Sequence, residues 1–369
     1  MKDLCLLVKP ASGLCNMRCR YCFYADEMQK RETGERGMMS TETADALITK
    51  ALGYADGSVT FAFQGGEPTL RGLPFFRYFT EKVKRIAPER KNISYTMQTN
   101  GLLIDDEWAA FFRENGFLIG LSLDGNRETH DLNRVDASGK GTSDSVMRAA
   151  RVLEKAGVPF NVLTVVTSRT AKNIGEIYKF YRRNNLLYQQ YIPCLDPIYG
   201  ERGSHPYSLT SGAFGDFLIR LFDLWYDDKI NGRFIYVHYF ENLCGILLGK
   251  APASCGMNGI CSVQSVIEAD GSVYPCDFYS MDEYLIGNIE ADDFATLDER
   301  RMPFLRESAG GLEKCRTCRF GPVCRGGCRR DRQYASGLGE NCFCGGYAKF
   351  FGYALPKLIA LLRANGYRL

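Results

Sequence analysis

The chain has 369 residues, 45% of them hydrophobic, enough to bury a sizeable core in one large domain with an appendage or in two domains. Its 46 basic and 43 acidic residues leave a net charge of +3, which excludes the strong basic bias of a nucleic-acid-binding protein. No stretch reaches the roughly 18 uninterrupted apolar residues of a membrane span, and the opening MKDLCLLVKPASG lacks the apolar core of a signal peptide, so a cytoplasmic location is expected.

Residues 4–9 (LCLLVK) form a short apolar run that predicts a strand. VTFAF (59–63), ISYTMQT (93–99), FLIGLSL (117–123), FNVLTVV (160–166) and YQQYIP (188–193) share its character. Between them, STETADALITKAL opens on Ser40, carries Glu42 and spaces its apolar residues as a helix does. LPFFRYFTEKVKRIA, DDEWAAFFRENG, SVMRAARVLEKAG and NIGEIYKFYRRNN follow the same logic. Strand and helix alternate six times, which predicts parallel strands joined by crossover helices. Six repeats fall short of the eight of a closed barrel. The reading is therefore α/β, a partial (β/α)6 TIM barrel over residues 1–200, with a doubly wound open sheet as the alternative. Residues 201–250 read as a helical connector, and residues 251–369 as a loop-rich C-terminal domain. Within that domain SVIEADGSVYPC predicts a hairpin around Asp270-Gly271. GGYAKFFGYALPKLIALLRANG predicts a closing helix, kinked or broken at Pro356.

Fifteen cysteines need a reason. An odd number cannot pair completely, and a reducing compartment disfavours disulfides. Cys5, Cys194 and Cys244 stand apart and read as scattered buried thiols. The others cluster as metal ligands do. Cys15-x3-Cys19-x2-Cys22 follows the first strand, at the end where α/β folds place their active face. A zinc knuckle would have to borrow a distant fourth ligand. A four-iron cluster on three thiolates would instead keep one iron open for a further ligand.

With Tyr21 before its last cysteine, this loop resembles the CxxxCxxC hallmark of the radical S-adenosylmethionine (SAM) enzymes. The resemblance implies a partial (β/α)6 barrel and a [4Fe–4S] cluster on Cys15, Cys19 and Cys22. It implies that SAM chelates the open iron and is split by an electron into a 5′-deoxyadenosyl radical. Tyr21 is then a cofactor neighbour. In FQGGEPTL (63–70) the glycines permit close backbone approach, and Gly66 is the best match to the segment that meets the methionine amine. The resemblance also implies that Ser122 in LSLDG turns a hydroxyl to the cofactor, that Arg134 in HDLNR pairs with its carboxylate, and that Leu195 packs on the adenine.

The distal motifs C-x9-G-x4-C and C-x2-C-x5-C-x3-C resemble the SPASM domain, which binds two auxiliary [4Fe–4S] clusters. The resemblance gives Cys255, Cys261, Cys276 and Cys328 to one and Cys315, Cys318, Cys324 and Cys344 to the other, three clusters in all. Cys342 competes with Cys344 for the last place. Read alone, these spacings also allow zinc.

PCDFY (275–279), together with FAFQGGEPTL and CGMNGIC, is similar to the anaerobic sulfatase-maturating enzymes, and the similarity runs along nearly the whole chain. It implies oxidation of a Cys or Ser in a sulfatase motif to Cα-formylglycine, with Asp277 as general base. It also implies a sulfatase polypeptide or peptide as substrate and an electron donor such as flavodoxin or ferredoxin. Gln64, Gln98 and Asn100, at predicted strand ends, are candidate contacts to a peptide backbone, and Tyr24 is a candidate to pack beside the target residue. Two other readings remain open: a SPASM maturase that forms a crosslink or thioether in a ribosomally made peptide, and a zinc-stabilised binding protein without catalysis.

Overall fold

The computed structural model describes residues 2–89 and 91–368. They form two compact units, each assembled from separate stretches of chain: 1–122, 134–160 and 263–304 in the first, 123–133, 161–262 and 305–369 in the second. Six strands fall where the apolar runs predict them: β1 (Leu4–Val8), β2 (Val59–Phe63), β3 (Ile93–Thr99), β4 (Phe117–Ser122), β5 (Phe160–Val166) and β6 (Tyr188–Pro193). Short strands β7 (Tyr236–Val237), β8 (Ser265–Ile267), β9 (Ser272–Tyr274) and β10 (Gly287–Asn288) follow.

In the first unit β1, β2, β3 and β4 pair in parallel in that order, with Val8 opposite Phe63, Phe63 opposite Met97 and Met97 opposite Ile119. On the other flank of β1, β8 pairs in parallel, Leu6 with Ser265 and Val8 with Ile267. The predicted hairpin then turns at Gly271, whose φ of +81° suits a residue without a Cβ. Ser40 caps helix Thr41–Tyr54 by accepting from the Thr43 N–H at 3.0 Å. Helices Leu73–Ile86 and Asp106–Glu114 present Phe76, Phe79, Phe111 and Phe112 to the buried sheet residues Phe63 and Phe117, with Trp108 packed between Phe76 and Phe112. The Phe63 ring lies edge-on to Phe76 and Phe79 at 5.0 and 5.1 Å, a favourable aromatic geometry. This core lies beneath the strands whose C-terminal ends carry the site.

In the second unit β5, β6 and β7 pair in parallel. Helices Ser211–Ile230 and Cys344–Ala364 cross backbone to backbone: a Cβ on Gly346 would lie 2.2 Å from the Ser211 carbonyl oxygen. The closing helix runs on through Pro356, so the break allowed from sequence does not occur. Proline removes one backbone bond at a cost of about 3 kcal/mol. Burial of Phe350, Phe351, Ala354, Leu358 and Leu362 on both sides of it, at roughly 1.5–3 kcal/mol for each large side chain, outweighs that loss.

Among the described residues no cysteine forms a disulfide. Cys194 is buried and Cys244 half-buried, but Cys5 is exposed, contrary to the reading from sequence, because it is the outward-facing residue of β1. Among the described residues no helix is long and apolar enough to cross a membrane.

Candidate active site

The three-cysteine loop leaves the sheet at the end of β1 and is held by the turns that end β2 and β3. The Gly66 N–H donates to the Ser12 carbonyl at 2.8 Å and the Glu67 N–H to the Leu14 carbonyl at 2.7 Å. A Cβ on Gly66 would stand 2.0 Å from the Leu14 oxygen, so only glycine lets this turn lie flush on the chain entering Cys15. Glu67 is buried and works as a clamp. Its Oε1 accepts from Thr69 Oγ1 at 2.7 Å and Thr99 Oγ1 at 2.8 Å, and its Oε2 from the Asn100 N–H at 2.7 Å. Asn100 in turn donates to Asn16 Oδ1 at 2.7 Å and reaches Cys15 Sγ at 3.7 Å.

Burial pushes the Cys15 thiol up to about 11 and the Cys22 thiol upward as well. The protein alone therefore favours neutral thiols here, and thiolates require a positive partner such as iron. This set of soft sulfur donors, with none of the chain's three histidines in the loop, fits an iron–sulfur cluster. Nearby, Gln98 Nε2 donates to Ser122 Oγ at 2.9 Å, and the Arg134 guanidinium lies 5.5 Å from the centre of the Tyr21 ring. Leu195 follows β6 in the second unit and is half-buried.

Asp277 opens a short 3-10 turn, Asp277–Tyr279, without capping it. Its side chain is drawn into the first unit instead. Oδ2 accepts from Tyr24 Oη at 2.7 Å and from Gln64 Nε2 at 2.7 Å, and Gln64 Nε2 also donates to Tyr24 Oη at 2.7 Å. Two of the other residues singled out from sequence, Tyr24 and Gln64, therefore converge on the Asp277 carboxylate. Gln98 and Asn100 do not join them; they bond Ser122 and the thiol loop.

Behind Asp277 lie four buried ionisable side chains that sequence reading did not single out: Lys9, Glu27, Arg31 and Glu268. Lys9 Nζ stands 3.1 Å from Asp277 Oδ1 and 3.4 Å from Glu268 Oε1. Arg31 Nη2 is 2.9 Å from Glu268 Oε1 and 4.0 Å from Glu27 Oε2. The available signal was a lysine at the buried end of an apolar strand, since a charge taken out of water needs partners. Burial alone would raise the Glu268 carboxyl, but Lys9 and Arg31 outweigh it and hold it below its ordinary value. Glu27 goes the other way: burial, with Asp277 and Glu268 adding to it against Lys9 and Arg31, pushes it up to about 8.

Folded Glu27 thus keeps its proton to about pH 8, whereas the unfolded chain releases it near 4.5. Between those values the unfolded state binds fewer protons, so this group's contribution to stability falls as pH rises. Glu27→Gln, neutral throughout, should gain on the wild type by roughly 2–4 kcal/mol between pH 5 and pH 8. Anaerobic urea unfolding at the two pH values checks this, and a gain independent of pH would contradict it.

In the second unit the distal thiols form two sets. A Cβ on Gly256 would stand 3.5 Å from Cys328 Cβ, so the segment carrying Cys255 lies against Cys328, whose thiol is raised by burial and Asp331, with Cys255 and Cys261 adding. Cys276 lies in the first unit, immediately before Asp277. Cys315, Cys318, Cys324 and Cys344 line a cavity of about 390 Å³. Cys342 is turned to Arg202, whose Nη1 donates to its Sγ at 3.1 Å.

Residues 10–181 match the radical SAM superfamily, and residues 259–319 match SPASM, an iron-sulfur cluster-binding domain. A cysteine-type anaerobic sulfatase-maturating enzyme of Clostridium novyi is 45% identical over 372 residues, covering 100% of this chain and 100% of its own length. A serine-type enzyme of Bacteroides thetaiotaomicron is 31% identical, covering 97% of this chain and 91% of its own. A solved structure of native anSMEcpe with bound AdoMet and Kp18Cys peptide matches with a TM-score of 0.93 and 44% identity, covering 98% of this chain and 99% of that one. With these relatives and the site geometry on hand, the chain belongs to the anaerobic sulfatase-maturating enzymes, a family of radical SAM enzymes that carry a SPASM domain.

Proposed function

We propose that the protein oxidises a cysteine in a sulfatase motif to Cα-formylglycine. The observation that carries this reading is the buried carboxylate of Asp277, held by Tyr24 and Gln64 in the same unit as the three-cysteine loop. A cysteine rather than a serine substrate is supported by the higher identity to the cysteine-type relative, 45% against 31%.

In this reading Cys15, Cys19 and Cys22 hold the SAM-binding cluster, with Tyr21, Gly66, Ser122, Arg134 and Leu195 as cofactor contacts. Cys315, Cys318, Cys324 and Cys344 hold one auxiliary cluster. Cys255, Cys261 and Cys328 serve the other, and the motif spacing supplies Cys276 as its fourth thiol. When bound, SAM and these three [4Fe–4S] clusters supply the radical that takes a Cβ hydrogen and the sink for one electron; a flavodoxin or ferredoxin is the external reductant. The chain's own residues manage the proton. Asp277 accepts it from the substrate thiol through Oδ2, and Tyr24 and Gln64 hold that oxygen in place. Loss of the hydrogen atom, the proton and the electron leaves a carbon–sulfur double bond, which water converts to the aldehyde with release of hydrogen sulfide. Gln98 and Asn100 act one step back, on Ser122 and the thiol loop.

Anaerobic holoenzyme should convert a Cys-containing sulfatase peptide to the aldehyde faster than its Ser counterpart, given SAM and a reductant and followed by mass spectrometry. The same preparation should contain about twelve irons per chain, four for each cluster. A crosslinked product without aldehyde, or stoichiometric zinc in place of iron, would overturn the reading.

A further inference from the structure

The two oxygens of Asp277 have different surroundings. Oδ2 carries the bonds from Tyr24 and Gln64, whereas Oδ1 faces Lys9 Nζ at 3.1 Å. Lys9 is fixed at both ends. Its backbone N–H donates to the Ile267 carbonyl at 2.8 Å, which carries the pairing of β1 and β8 one residue further. Its ammonium donates to Ser280 Oγ at 3.1 Å, lies 3.4 Å from Glu268 Oε1 and sits 4.6 Å from the centre of the Tyr24 ring. Only 1% of Lys9 is exposed, so water cannot take the place of these partners. Burial favours the neutral amine, but Asp277 and Glu268 outweigh it and keep Lys9 protonated. An ammonium has no lone pair to accept a substrate proton, so Lys9 is no base. It can hold one carboxylate oxygen and thereby fix the rotation of the carboxyl group. A base must be held within hydrogen-bond reach of the proton it removes, and small misplacements cost rate steeply.

We propose that Lys9 is a positioning residue for the proton-transfer step: it anchors Asp277 Oδ1 so that Oδ2 faces the substrate thiol. The inference rests on the assignment of Asp277 as the base.

The test compares wild-type holoenzyme with Lys9→Met, Lys9→Arg and the double variant Lys9→Met/Glu268→Gln. The readout is aldehyde formed per 5′-deoxyadenosine released, with a Cys sulfatase peptide under anaerobic conditions. For Lys9→Met the ratio should fall at least tenfold, in kcat for aldehyde, with the peptide KM within twofold of wild type. Lys9→Arg, which keeps a cation with donors in reach, should recover part of the ratio. The double variant balances the buried charge again while leaving Asp277 Oδ1 without its cation, so it should remain uncoupled. A wild-type ratio in the double variant would overturn the inference and assign Lys9 to charge balance alone. So would a ratio in Lys9→Met that does not change. The double variant also decides the matter where Lys9→Met fails to fold, because it removes a matched pair. If wild-type enzyme forms no aldehyde from any sulfatase peptide, the parent assignment falls and takes the inference with it; a coupled wild type with coupled variants sinks the inference alone.

Discussion

Asp277→Asn should cut aldehyde yield at least 100-fold while 5′-deoxyadenosine is still released. General-base catalysis contributes about 10²–10⁴-fold, and an amide has no basicity to replace it. The substitution is close to isosteric, so the local fold should hold. The Asn carbonyl can face Lys9, and the amide NH2 group then donates to the Tyr24 hydroxyl oxygen and, once the Gln64 amide flips, to Gln64 Oε1. Nothing at that position can accept the thiol proton. The thiol loop and the turn at Gly66 do not depend on Asp277, so cofactor cleavage continues and becomes unproductive. Parallel quantification of 5′-deoxyadenosine and of the aldehyde peptide checks this. An aldehyde yield equal to wild type would remove Asp277 from the mechanism.

Replacing Cys15, Cys19 and Cys22 together by Ala should abolish cofactor cleavage and remove about four of about twelve irons. The loop should keep its shape, because it is held by backbone bonds from Gly66 and Glu67 and by the Asn100–Asn16 contact, none of which uses sulfur. The remaining thiols belong to other segments and should retain their iron. Iron analysis beside a cleavage assay separates the outcomes. Cleavage that persists in the triple variant contradicts the assignment of the loop, and loss of nearly all the iron would show that the loop holds the fold together instead.

Much of this arrangement was legible because its signals are local. Six strands were readable as short apolar runs, Ser40 as a cap and Asp270-Gly271 as a turn, since each depends on a few adjacent residues. The thiol spacing at Cys15, Cys19 and Cys22 is likewise a local pattern. The charged cluster behind Asp277 was not legible. Lys9 and Arg31 meet Glu268 and Asp277 only after β8 has paired with β1, and no periodicity near residue 9 reports a partner near residue 268. Helix Phe23–Gln29 hides Glu27 for the same reason. Nor does spacing encode side-chain direction: Cys342 faces Arg202 and Cys344 lines the cavity. Pro356 shows local propensity losing to packing along a buried helix face.

The pairing of β1 with β8 also bears on how the molecule is made. While the ribosome is still threading out the middle of the chain, β1 can recruit β2 but has no neighbour for its opposite flank until Ser265–Ile267 appear. At synthesis rates of about 5–20 residues per second, the roughly 200 intervening residues leave that flank bare for on the order of 10–40 s. An unpaired apolar edge of this kind is a template for pairing with other nascent chains. A polypeptide cut short before the hairpin keeps that edge permanently and also lacks Glu268, Asp277 and Ser280, the partners of Lys9, so prematurely terminated copies are marked for aggregation or proteolysis rather than for partial activity.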